Sequence, residues 1–178
     1  MRLAAWLSLC TVVASSGASA HDLPLDRTMN AFVKIEPRQA HLVIRVPLDL
    51  LGMVQFPLDG ADYDLANSGP AVESALRALA HDISLRENGV ALAPSGAAGH
   101  LAPTHDRSFQ EYDQAVAGIT RPLDRDARIH YGLGYFDAHL TYPIASPASV
   151  FTIESRVAED LSAATKLAVG TPGGRRRR

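Results

Sequence analysis

The chain has 178 residues, of which 47% are hydrophobic and 20% are charged, and its formal net charge is −2 at pH 7. Four of its basic residues are the terminal arginines 175–178, so the remainder of the chain is acidic, which argues against nucleic acid as a partner. The chain has one cysteine, Cys10, and no stretch after residue 20 is apolar for long enough to cross a membrane as a helix.

The first 20 residues have the pattern of a secretory signal peptide. Arg2 gives a positive start, residues 3–14 are mostly apolar, and residues 18–20 (Ala-Ser-Ala) form a small-residue cleavage motif. Cleavage there would remove Cys10, which excludes a disulfide-linked partner and a thiolate metal site. We therefore predict an exported protein, periplasmic or extracellular, whose mature chain begins at His21.

Local patterns predict three elements in the first half of the mature chain. Alternation of apolar and polar residues predicts a β-hairpin over residues 28–47, with its turn at residues 36–39. Proline at position 70 and apolar residues at helical spacing predict an amphipathic helix over about residues 70–82. The Asn-Gly pair at 88–89 lies between short apolar alternations and predicts a second, tight hairpin.

The second half is less regular. Residues 94–105 are rich in proline, glycine and alanine and are predicted to form a loop, whereas residues 107–119 suit either a helical face or a strand end. Alternation over residues 127–144 predicts one long strand with a bulge where its phase changes, next to Gly132 and Gly134. Phe151, Ile153 and Val157 mark a last strand.

Many short strands with few helices indicate a mainly β fold. We expect an antiparallel, Ig-like β-sandwich with one or two helical insertions. The predicted boundaries are residues 1–20 for the signal peptide, 21–158 for the exported domain and 159–178 for a weakly structured tail.

His21 is the first candidate metal ligand. A residue that begins the mature chain carries a free amine as well as its imidazole, and both are available as neutral ligands around pH 7. Imidazole suits nickel, copper and zinc, so the two groups together could chelate one ion. The alternative is that His21 merely follows the cleavage site.

The stretch GHLAPTHDR supplies two further candidates, His100 and His105. Their four-residue separation falls within the H-x₃₋₅-H range of zinc sites, although no partner ligands are assigned. The alternative is a pair of exposed loop histidines that bind nothing. His130 and His139 are nine residues apart, and only a bulge between them would bring them to one face of a strand.

Catalytic signatures are absent from the sequence. It contains no G-x-S-x-G elbow, no H-E-x-x-H motif and no phosphate-binding loop. We therefore assign no catalytic residue and favour a binding role over an enzymatic one.

Three stretches together carry a resemblance to a known family: HDLPLDRTMNAFVKIEPRQAHLVIRVPLDLL, DRSFQEYDQAVAGI and YFDAHLTYPIASPASVFTIESR. They resemble the extracytoplasmic N-terminal region of HupE/UreJ-type membrane proteins, across about residues 21–157. The resemblance implies an exported binding or interaction domain, with nickel as the suggested cargo of the family. It also implies a membrane partner, either a separate protein or a transmembrane portion that this sequence does not contain.

The function expected from the sequence is therefore an exported binding domain that holds nickel or copper through His21, His100 and His105. One alternative is a copper monooxygenase with an N-terminal histidine brace. The other is a purely structural domain with no ligand.

Overall fold

The computed structural model describes residues 28–122, 127–157 and 166–170. The predicted signal peptide and His21 lie outside these described residues. In chain order the elements are β1 (Thr28–Ile35), β2 (Gln39–Pro47), β3 (Leu58–Asp59), β4 (Asp62–Tyr63), α1 (Gly69–Asp82), β5 (Ile83–Glu87), β6 (Val90–Ala91), β7 (Gly96–Ala102), α2 (Tyr112–Thr120), β8 (Tyr135–Pro143), β9 (Phe151–Ser155) and β10 (Lys166–Gly170). The described part of the chain is mainly β, with two α-helices, as predicted.

The largest sheet has five strands in the order β10-β1-β2-β8-β7. All neighbours pair antiparallel except β1 and β10, which pair parallel. The predicted hairpin over 28–47 is confirmed as β1 and β2, and its turn is closed by the Glu36 amide donating to the Gln39 carbonyl. The core side chains of β2 are Ala40, Leu42, Ile44 and Val46, at the alternate positions that the sequence pattern indicates.

A second sheet has three strands in the order β6-β5-β9. The Asn88-Gly89 hairpin is confirmed: both residues have positive φ, 51° and 83°, which suits the tight turn between β5 and β6. Ile83 and Leu85 of β5 belong to the same hydrophobic core as Leu42 of β2. The predicted helix over 70–82 is confirmed as α1, whose Ala75 and Leu79 enter that core.

The opposite face of the five-stranded sheet is covered by α2. A smaller apolar cluster forms there between Val43 of β2 and three residues of α2 (Tyr112, Ala115 and Ile119). For residues 107–119 the sequence left a helical face or a strand end open, and the structure shows a short 3₁₀ turn followed by a helix. The polar side chains considered below lie on this α2-covered face.

The predicted loop over 94–105 is wrong, because residues 96–102 form strand β7 at the edge of the main sheet. Glycine and alanine have low strand propensity, so the local sequence gave no sign of a strand. The small residues are required by packing against β8. A Cβ on Gly99 would lie 2.8 Å from Phe136 Cζ and 3.0 Å from the Asp137 carbonyl oxygen. His100 is consequently a strand residue and not a loop residue.

The single long strand predicted over 127–144 is also wrong, because β8 begins only at Tyr135. Gly132 and Gly134 have φ values of 76° and 93°, which extended strands do not accommodate. A Cβ on Gly134 would lie 2.7 Å from Ile129 Cγ2, so this segment turns too closely for any other residue. The change of phase in the apolar and polar alternation therefore marks the start of β8 and not a bulge within one strand.

His130 lies before this start and forms a bridge with Asp62, while His139 lies within β8. The segment around His130 is therefore not part of the strand on which both histidines were predicted.

Strand β10 falls within the predicted C-terminal tail. Its backbone pairs with β1 from Thr28 to Phe32, so this part of the tail extends the main sheet. The strand predicted from Phe151, Ile153 and Val157 is confirmed for the first two residues as β9, which pairs with β5, whereas Val157 lies beyond its end. Across the described ranges, no helix has the length and apolar character needed to cross a bilayer.

Candidate functional site

The structure places both His100 and His105 on the wall of one cavity. The cavity has a volume of about 330 Å³ and is also lined by Asp106 and Arg121. His100 comes from β7, where its backbone pairs with Asp137 of β8, and His105 follows the end of β7 by three residues. The two histidines that the sequence pairs are thus one strand residue, His100, and one loop residue, His105, on the wall of the same cavity.

The two histidines differ in their surroundings. The side chain of His100 is 16% exposed, and His105 is exposed. His100 Nε2 lies 3.7 Å from Asp137 Oδ2 and, among the described residues, is a buried nitrogen without a hydrogen-bond partner. The interpretation of both as exposed loop histidines is wrong for His100.

A buried ion cluster lies beside this cavity, centred on Arg45 of β2. Arg45 is 6% exposed and its Nε and Nη2 each donate to an oxygen of Asp137 at 2.7 Å. Arg45 Nη2 also donates to Asp106 Oδ1 at 2.8 Å, and Nη1 donates to the Asp106 carbonyl at 3.0 Å. The guanidinium is stacked between the rings of Phe109 and Tyr135, 5.0 and 4.9 Å from their centroids.

Neighbouring groups stabilise the ionised forms of Asp106 and Arg45. Burial acts to raise the pKa of Asp106, but hydrogen bonds from Ser108 and Arg45 outweigh it and lower that pKa to about 2. Burial acts to lower the pKa of Arg45, but the hydrogen bond and charge of Asp137 outweigh it and raise that pKa. Two carboxylates thus face one guanidinium inside the cluster, while Arg121 brings a second cation to the cavity wall beside Asp106.

Ser108 does not have the surroundings of an activated nucleophile. Its hydroxyl donates a hydrogen bond to Asp106 Oδ1. A carboxylate with a pKa near 2 is too weak a base to remove a proton from a hydroxyl group at neutral pH. The hydrogen bond is therefore structural, because it holds the loop after β7 against Arg45.

The cavity histidines meet only part of the requirements of a nickel or copper site. Imidazole nitrogen is a suitable ligand for nickel and copper, and the buried Nε2 of His100 has unused bonding capacity. Within residues 28–122, 127–157 and 166–170, no group of three histidine, cysteine or carboxylate side chains is arranged to hold a metal ion. The described cavity therefore fits such an ion only in part, with two imidazoles.

Sequence reasoning missed the residues at the centre of this site. Arg45 and Asp137 each lie among apolar residues of a buried strand, which is a recognisable signal of a buried charged pair. A second histidine pair, His41 and His139, was also not predicted as a contact. Comparison of the chain with family models, curated proteins and solved structures finds no match.

Proposed function

We propose that this chain is an exported binding domain that holds a transition-metal ion, nickel or copper, through His21, His100 and His105. The observation that carries the proposal is that His100 and His105 line one cavity, and that Nε2 of His100 is buried there without a hydrogen-bond partner among the described residues. Both histidines were candidate ligands on sequence grounds alone.

The position of β1 supports a contribution from His21, which itself lies outside the described residues. A second cavity of about 280 Å³ is lined by Thr28, Asn30 and Arg45, and it shares Asp106 with the first cavity. The first described residue, Thr28, therefore lies close to the ion cluster centred on Arg45. Seven residue steps from His21 to Thr28 can span up to about 25 Å.

The distance to be covered is smaller than this span. Asn30, Arg45, Asp137 and His100 are successive partners across β1, β2, β8 and β7. Three strand spacings of about 4.8 Å place β1 and β7 roughly 14 Å apart. A residue at position 21 is therefore within reach of the cavity that His100 lines.

We also propose the family of this chain and the way in which its two main sheets pack. The resemblance to the exported region of HupE/UreJ-type membrane proteins supports a membrane protein as the partner and a periplasmic or extracellular location. The shared core of β2 and β5 supports an Ig-like sandwich of the two sheets.

Thermal unfolding in the presence of Ni²⁺ tests the cavity histidines, because a ligand that binds the folded protein raises its unfolding temperature. We expect Ni²⁺ to stabilise the protein that begins at His21 and the shift to be lost in a His100→Ala, His105→Ala double variant. The matched control is His81→Ala with His130→Ala, whose side chains are 76% and 60% exposed. Equal shifts in both double variants would contradict the assignment. The absence of any shift would favour a structural domain with no ligand.

A further inference from the structure

A second pair of histidines lies on the α2-covered face, further along the same strands. His41 of β2 and His139 of β8 bring Nδ1 and Nε2 within 3.0 Å of each other, and their ring centroids are 5.2 Å apart. His41 lies four residues before Arg45 on β2, so this pair is separate from the His100 and His105 cavity. The proposed function does not use it.

The other nitrogen of His41 faces a carboxylate. His41 Nε2 lies 3.5 Å from Glu36 Oε2, and Glu36 is in turn held by Lys34, whose Nζ lies 3.0 Å from Oε1. A carboxylate at this position favours a proton on Nε2, so Nδ1 carries a lone pair, which accepts a hydrogen bond from His139 Nε2 and is the group that would bind an ion. Histidines that bind metals typically have this arrangement, in which the second nitrogen donates to a carboxylate and so fixes the ring.

The separation of the two nitrogens suits a particular coordination geometry. Two nitrogens bound to one metal at about 2.05 Å are about 2.9 Å apart at a right angle and about 3.3 Å apart in a tetrahedron. The observed 3.0 Å is close to the right-angled value. Right-angled nitrogen ligands are typical of the tetragonal sites of Cu²⁺ and Ni²⁺, and Cu²⁺ is the more tightly bound of these ions.

The neighbouring strand places no bulky side chain beside the pair. On edge strand β7, the residues opposite His139 and Thr141 are Ala98 and Gly96, so β7 places only a methyl group and a hydrogen there. The side chain of His41 is 13% exposed and His139 is only partly buried. The pair is therefore mostly buried but keeps some contact with solvent.

We propose that His41 and His139 form a two-histidine site for Cu²⁺, with Glu36 as the residue that orients His41. Water or an external metal-carrying molecule supplies the remaining ligands. Because the protein supplies only two ligands, the ion is exchangeable, and the site is suited to accepting or releasing copper rather than to storing it. This inference does not depend on His21, His100 or His105.

The test uses a protein in which those three residues cannot contribute, because His21, His100 and His105 are each replaced by alanine. We expect this background protein to bind one Cu²⁺ with two imidazole nitrogens, read from the nitrogen splittings of its electron paramagnetic resonance spectrum. The His41→Phe, His139→Phe variant keeps the ring volume and should lose that signal. His139→Asn keeps a polar side chain and should give one imidazole nitrogen or none.

Glu36→Gln tests the orienting role separately. Loss of such a partner typically weakens metal binding by about tenfold or more while the two-nitrogen spectrum remains. His81→Ala with His130→Ala in the same background is the matched control and should change nothing. The proposal is overturned if the background protein binds no Cu²⁺, which would make the pair a hydrogen bond only. It is equally overturned if the phenylalanine variant, shown by circular dichroism to be folded, binds Cu²⁺ as before.

Discussion

Arg45 is buried on the α2-covered face of the main sheet, and two aspartates neutralise it. Its partner Asp137 is only 1% exposed, so removal of the guanidinium would leave a buried carboxylate without a cation. Breaking a buried ion pair from one side typically costs about 3–5 kcal/mol of stability. We expect Arg45→Ala to lower the free energy of unfolding by that amount, measured by urea denaturation.

The matched comparison replaces both charges at once. Arg45→Met with Asp137→Leu removes the pair and leaves apolar side chains of similar volume, and it should destabilise the protein less than Arg45→Ala alone. If the single variant were as stable as the parent protein, Arg45 would not have the role in stability described above.

Glu87, at the end of β5, holds the segment that follows β8. Glu87 as a whole residue is 7% exposed, and its carboxylate accepts hydrogen bonds from the backbone amides of Ala145 and Ser146. The amide of Ala145 and the hydroxyl of Ser149 lower the pKa of Glu87, so the ionised form stabilises the fold. This contribution is complete at neutral pH and is lost as the pH falls through the lowered pKa.

We therefore expect Glu87→Gln to be less stable than the parent protein at pH 7, and the difference to narrow as the pH is lowered to about 3. Urea midpoints at several pH values measure it. Glu73→Gln is the control, because the Glu73 side chain is 74% exposed on α1. A difference between the parent and Glu87→Gln that stayed constant with pH would show that the charge of Glu87 is not responsible.

At the scale of elements, β7 depends on the small size of its residues. A methyl group at position 99 would meet Phe136, Asp137 and Leu76 at 2.8–3.0 Å, whereas one at position 96 would meet only Thr141 Cβ at 3.8 Å. Overpacking of this kind typically costs about 1–3 kcal/mol. We expect Gly99→Ala to lower the unfolding midpoint and Gly96→Ala to leave it nearly unchanged. Equal effects would contradict the described packing of β7 on β8.

The elements that could be predicted from the sequence have local signals. The turn of residues 36–39, the Asn88-Gly89 pair and the apolar spacing of α1 each specify structure within a few residues. β7 has no such signal, because its Gly and Ala residues form a strand only through pairing with β8, about 40 residues later. Gly132 and Gly134 have positive φ in the structure, but the alternation of residues 127–144 does not reveal that the chain turns at these glycines.

The candidate site was predictable only in part for the same reason. His100 and His105 are close in sequence, so a shared position could be suggested. Arg45 and Asp137 are 92 residues apart, and His41 and His139 are 98 apart, so their contacts exist only once β2 pairs with β8. A sequence pattern indicates that a charge is buried, but strand pairing decides which partner it meets.

At the scale of the whole molecule, three separate parts of the chain meet at one end of the main sheet. They are the start of β1, the ion cluster centred on Arg45 and the end of β7 with the cavity that His100 and His105 line. The account of this protein as a metal-binding domain depends on this convergence, since each part alone provides too few ligands.

The decisive measurement is calorimetric titration with Cu²⁺ and Ni²⁺ of the protein that begins at His21 and carries His41→Phe and His139→Phe, compared with the same protein carrying His21→Ala. We predict binding of Cu²⁺ or Ni²⁺ at micromolar affinity or tighter, and clearly weaker binding when His21 is replaced by alanine. Binding weaker than micromolar, or equal affinity in the two proteins, would contradict the role of His21.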